Sequence, residues 1–196
     1  MFRKAIRQVT VGILLLSLAA STSPALAHSG LGNAVLRVKE LPRNFSSANT
    51  RTYTAYVPFL KVKVQGPFGK YDDDCSPPSI IAGKYRLALI QSFSSTSNPV
   101  STMRLCSFLY KSAGVADKAY RELVRSAVFN ATSFSAHKVT SRVGNASVAY
   151  AGKTSEEVVF RSDNVALELW YTSLKGVQMS PSAFLHLGAL LVSRLR

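Results

Sequence analysis

Acidic residues are scarce in this chain of 196 residues: 10 Asp and Glu stand against 24 Lys and Arg, a formal net charge of +14 at pH 7. Only two cysteines, Cys75 and Cys106, and three histidines are present. Two cysteines are too few for a zinc site built from paired Cys-x-x-Cys motifs, and the sequence has no H-E-x-x-H helix and no G-x-S-x-G elbow. Three of the acids stand in a row at Asp72, Asp73 and Asp74, but they lack the alternating ligands, the sixth-position glycine and the twelfth-position glutamate of an EF-type calcium loop. They read as a solvated turn, with a weak surface calcium site as the competing reading. Long apolar runs are also missing. The longest, Val11 to Ala20, is about half of the roughly 20 residues that a bilayer-spanning helix needs.

That short run belongs to a leader. Arg3, Lys4 and Arg7 precede it without an acid, and the small residues Ala25 and Ala27 precede His28. This is the pattern of a secretory signal peptide over residues 1–27, cleaved between Ala27 and His28. The remaining residues, 28–196, are expected to form one domain, exported to a secreted or extracytoplasmic location and without a transmembrane segment. Loss of the leader leaves 21 basic against 10 acidic residues, a net charge of +11. A surface of that sign favours anionic partners, such as a cell-wall or envelope component, an acidic headgroup or a nucleic acid.

Periodicity gives the architecture. Leu60, Val62 and Val64 alternate with Lys61 and Lys63, as in a half-buried strand. KYRLALIQSF, with Tyr85, Leu87, Leu89 and Phe93 on one expected face, and MRLCSFLYK read as a hairpin. The period then lengthens: Ala116, Ala119, Tyr120, Leu123, Val124, Ala127 and Val128 recur at steps of three and four, the stripe of an amphipathic helix. A weak strand in FSAHKVTS follows, then ASVAYAG, EEVVF and VALELWYTS. A closing helix has Ser180 as N-cap, Pro181 at its first position and Arg194 near its end. The order predicts an α+β fold, an antiparallel sheet of about five to seven strands with two main helices packed on one face.

An exported protein meets an oxidising compartment, so Cys75 and Cys106 are expected to join. Closing a loop of about thirty residues stabilises by roughly 3 to 4 kcal/mol on the chain-entropy model. AGKTS, Ala151 to Ser155, imitates the end of a phosphate loop. Ser147 stands where the earlier glycine is required, and the segment lies between strands, so it reads as a hairpin turn. Lys61, Lys63, Arg104 and Lys111 are the candidate polyanion-binding set, with Tyr53, Tyr56 and Phe59 interleaved near the lysines in a manner that would suit single-stranded nucleic acid. A hydrolase built from His137 or His186 with a distant carboxylate is a further alternative. No cofactor motif is present, and no cofactor is expected.

The succession LPRNF, YRLALIQSF, MRLCSFLYKSAGVADKAYREL, VGNASVAYAG and VVFRSDNVALELWY resembles a broad group of uncharacterised exported bacterial proteins. The outline is also similar to the PsbP-like architecture of secreted lipoproteins and extracellular sensor domains. The resemblance implies an α+β scaffold with a binding or envelope-associated role, and it supplies no catalytic residues. The lipid-bearing cysteine of the lipoproteins is absent here.

Overall fold

The structure, a computed structural model, describes residues 31–42, 45–53, 60–66, 69–75, 84–95, 101–173 and 179–195. The expected signal peptide and its Ala27–His28 cleavage point lie outside the described residues, as do Tyr56 and Phe59. A 3-10 turn at Val38–Glu40 precedes β1 (Phe45–Tyr53), β2 (Leu60–Gly66), β3 (Gly69–Cys75), β4 (Tyr85–Ser95) and β5 (Ser101–Tyr110). Then come α1 (Ala113–Ser133), β6 (His137–Val139), β7 (Ala146–Ala151), β8 (Ser155–Ser162), β9 (Val165–Ser173) and α2 (Pro181–Arg194).

Seven strands form an antiparallel sheet in the order β1-β4-β5-β9-β8-β7-β6, and β2 and β3 form a separate antiparallel pair. The α+β class and the antiparallel sheet are as the sequence predicts, but the two helices lie on opposite faces rather than on one. On one face Phe184, Leu187, Leu191 and Val192 of α2 pack with Leu89, Phe93, Leu105, Val158, Phe160, Leu167, Leu169 and Tyr171. On the other, Ala116, Ala119, Leu123 and Ala127 of α1 pack with Ile90, Phe108, Val159 and Ala166. Successive strand residues point to opposite faces, so the central strands must be apolar on both and their alternation is muted.

A register shift between Tyr85 and Leu87 sends Tyr85 to the α1 face while Leu87 joins Leu89 and Phe93 under α2. The sequence stripe had put all four together. A bulge of this kind changes the facing of every residue on one side of it. Asp72, Asp73 and Asp74 lie on β3 and not in a turn, opposite Lys63, Val62 and Lys61 of β2.

The segment before β1 is tied both to the sheet and to α2. Gln91 accepts from the Leu36 N–H at 2.7 Å and donates to its carbonyl at 3.2 Å, so one buried amide holds the segment before β1. Ser180 caps α2 by accepting from the Ala183 N–H at 3.2 Å. At the other end of α2, Arg194 reaches back to Glu40, with one contact at 3.0 Å, and to the Val35 carbonyl. The guanidinium hydrogen-bonded to Glu40 holds its carboxyl below the usual range.

Candidate functional site

Cys75 ends β3 and is bonded to Cys106 in the middle of β5, with 6.0 Å between their Cα atoms. Both are buried among the residues under α1. The disulfide therefore fastens the β2–β3 hairpin to the α1 side of the sheet.

Beside it, on the same face, lies a group of ionisable side chains that periodicity did not reveal. Arg104 of β5 is opposite Trp170 of β9, and Cys106 is opposite Glu168. The Arg104 guanidinium lies 4.6 Å from the centre of the Trp170 ring and 3.8 Å from Glu168. Glu157 of β8 is opposite Trp170, which makes it the diagonal neighbour of Glu168, and it accepts from the Asn130 amide of α1 at 3.3 Å. Phe134, just beyond α1, meets the Trp170 ring edge-on at 5.8 Å.

Glu157 is 3% exposed. Burial, reinforced by the negative charge of Glu168, pushes its carboxyl well above the ordinary range, with the Asn130 hydrogen bond opposing. Arg104, 3.8 Å from Glu168, offsets part of the negative charge of the pair. Glu156 points to the other face, is 2% exposed, and is pushed up to about 7 by burial alone. Among the described residues its Oε2 and the Oε1 of Glu157 have no hydrogen-bond partner.

The expected polyanion set is spread over two sheets by strand position. Lys61 and Lys63 are on β2 in the separate hairpin, Lys111 is exposed beyond the end of β5, and Arg104 is inside the fold on Glu168 and Trp170. His137 and His186 are both exposed, on β6 and α2. His186 belongs to the helix on the sheet face opposite Glu157 and Glu168, and it is exposed on the side of that helix away from the buried residues Phe184, Leu187 and Leu191 that face the sheet and Glu156. His137 is two strands from Glu156, roughly 10 Å at ordinary strand spacing. The structure thus does not assemble a histidine with the buried acids. Among the described residues there is also no group of three or more His, Cys, Asp or Glu side chains arranged to hold a metal.

The cations that are gathered lie on the outer side of α1. Lys118, Arg121 and Arg125 follow one another at steps of three and four, all exposed, on the side opposite the buried stripe of Ala116, Ala119, Leu123, Ala127 and Ala131. Arg121 pairs with Asp117 at 2.8 Å, and Asp117 also meets Arg161 at 3.6 Å. The same outer row continues into Val128, 47% exposed, and Phe129, 73% exposed. Val128 had been assigned to the buried stripe. It departs because α1 approaches the sheet through alanines, and the contact is too narrow to cover residues at its edge. The AGKTS turn joins β7 to β8 as predicted, and its exposed Lys153 lies next to this end of α1: a Cβ on Gly152 would come 3.3 Å from the Phe134 carbonyl oxygen.

No family model and no curated protein matches the chain. Among solved structures it is similar to the extracellular domain of PknH from Mycobacterium tuberculosis, with a TM-score of 0.51 and 13% identity, over 84% of this chain and 94% of that one. At that identity the likeness is one of fold. It accords with the α+β outline expected from the sequence. Among the described residues no helix is long and apolar enough to cross a membrane.

Proposed function

We propose that this protein is an exported, extracytoplasmic, single-domain binding protein, residues 28–196 after leader removal, which engages an anionic component of the cell envelope without transforming it. The observation that carries this reading is the row of exposed cations, Lys118, Arg121 and Arg125, on the outer side of α1. Arg104, the cation best placed for an internal site, is already engaged by Glu168 and Trp170. The leader pattern, the disulfide and the fold shared with an extracellular domain support the compartment.

Two measurements test it. N-terminal sequencing of exported material is expected to begin at His28, and a start at Met1 would overturn the compartment. Binding to a soluble polyanion such as polyphosphate is expected to weaken as salt rises, because exposed charges are screened over about 10 Å at 0.1 M. The Lys118→Gln, Arg121→Gln, Arg125→Gln triple variant should bind at least about tenfold more weakly. Unchanged binding would remove α1 as the site.

A further inference from the structure

The outer row of α1 changes chemistry along its length, from cations to exposed apolar side chains. Phe129 lies on the side of the helix away from the sheet, opposite Ala127 and Ala131, so nothing in the fold accounts for an aromatic ring there. Single exposed apolar residues are ordinary on protein surfaces. Here Phe129 is joined by Val128, 47% exposed, whereas Phe134, beyond the end of the helix, turns inward onto Trp170. Arg125 lies one turn back along the row, Arg121 a further turn, and Lys153 stands on the adjoining β7–β8 turn. The carboxylates of α1, Asp117 and Glu122, are in its first half, and Asp117 is held by Arg121 and Arg161.

We propose that the second half of α1 docks the protein on a bilayer containing anionic lipid, with Phe129 and Val128 entering the headgroup boundary and Arg121, Arg125 and Lys153 meeting lipid phosphates. The inference deepens the anionic-envelope reading and rests on it. A charged polymer would use the cations but leave the exposed phenylalanine without a role. An apolar groove on a protein would use the ring but bury the cations at a cost. An anionic membrane surface accommodates both, with apolar groups lying in the interface and each nearby cation adding attraction. A docking area this small makes the association weak and reversible, as with a single lipid chain.

The test uses the leader-processed protein and vesicles of phosphatidylcholine, with and without roughly one third phosphatidylglycerol. Sedimentation should show binding to the anionic vesicles only. Arg121→Gln with Arg125→Gln should lower it at least about tenfold, on the order of fivefold per cation. Phe129→Ser should also lower vesicle binding about tenfold while leaving polyphosphate binding unchanged. Phe129→Leu, which keeps an apolar insert, should retain vesicle binding and so separate insertion from any loss of fold. Binding to polyphosphate but not to anionic vesicles overturns the bilayer and leaves the anionic-envelope reading standing. Vesicle binding indifferent to Phe129→Ser, or equal on phosphatidylcholine alone, overturns it as well. Binding to neither material overturns both readings.

Discussion

Under α2 the sheet presents large side chains, including Phe93, Met103, Phe160 and Tyr171, and the helix answers with Phe184, Leu187 and Leu191. Under α1 the helix is mostly alanine at the contact, the disulfide occupies one part of the face, and the far part is given to Arg104, Glu168, Glu157 and Trp170. The first face gains its stability from apolar volume. The second has less to bury and supplements it with a covalent link and a charge network, both sensitive to solution conditions. The comparison shows that the two sides of one sheet need not respond alike to reduction, pH or mutation.

The largest expected effect is on the α2 side. Leu191→Ala removes a fully buried side chain and should cost about 3 to 5 kcal/mol, whereas Ala127→Gly on the other helix should cost about 1 kcal/mol. Equal losses in denaturant melts would mean that the two interfaces are packed alike. Reduction of Cys75–Cys106 comes next, with a loss of roughly 3 kcal/mol and no reactive thiol before reduction. Two titratable thiols in the unfolded, unreduced protein would refute the bond.

The pH response sharpens the comparison further. Glu156 and Glu157 have carboxyls raised above the ordinary value of 4.5 by burial. A raised folded value means that the native state holds the proton more tightly, so this stabilisation is complete below the unfolded value and is lost as pH climbs through the folded one. Thermal stability should therefore fall as pH rises from about 5 to about 8, by on the order of 1 to 3 kcal/mol for each carboxyl. Glu157→Gln and Glu156→Gln should each flatten part of the slope. A profile that rises over this range would show that neither acid is held protonated. Glu40, held low by Arg194, contributes in the opposite sense, with stability lost as pH falls through its lowered value.

The smallest effect is expected at the hairpin. Replacing Asp72, Asp73 and Asp74 together by Asn removes two lysine–aspartate register pairs, at a cost of about 1 kcal/mol. Calcium should raise the melting temperature of neither version. A rise confined to the parent would establish a metal site, since a ligand specific to the folded state must stabilise it.

Much of the fold was legible. The β4–β5 hairpin, the α1 period, the β7–β8 turn and the Ser180–Pro181 start of α2 all follow from local pattern and capping chemistry. Two strands were not. β1, FSSANTRTY, is a polar edge strand, and β3, GKYDDDC, contains a glycine and three aspartates, all of low strand propensity. Pairing with β2 and the bond to Cys106 override that local preference. That Lys61 and Lys63 belong to a separate two-stranded sheet was not legible from sequence either, because their alternation with Leu60, Val62 and Val64 marks a strand but not its partner.

The adjacent pair Glu156 and Glu157 marks the division. Sequence by itself determined that these residues lie in a strand, because VVF follows them with β-branched and aromatic side chains and turns bound the segment. Period two then sends them to opposite faces. From that alone, at least one glutamate of a one-sided sheet would reach water. Only the tertiary structure decided that α1 covers one face and α2 the other, which leaves no wet side for either carboxyl. The cause is non-local: a helix's own periodicity fixes which stripe it buries, but the face it covers depends on how the chain crosses the sheet.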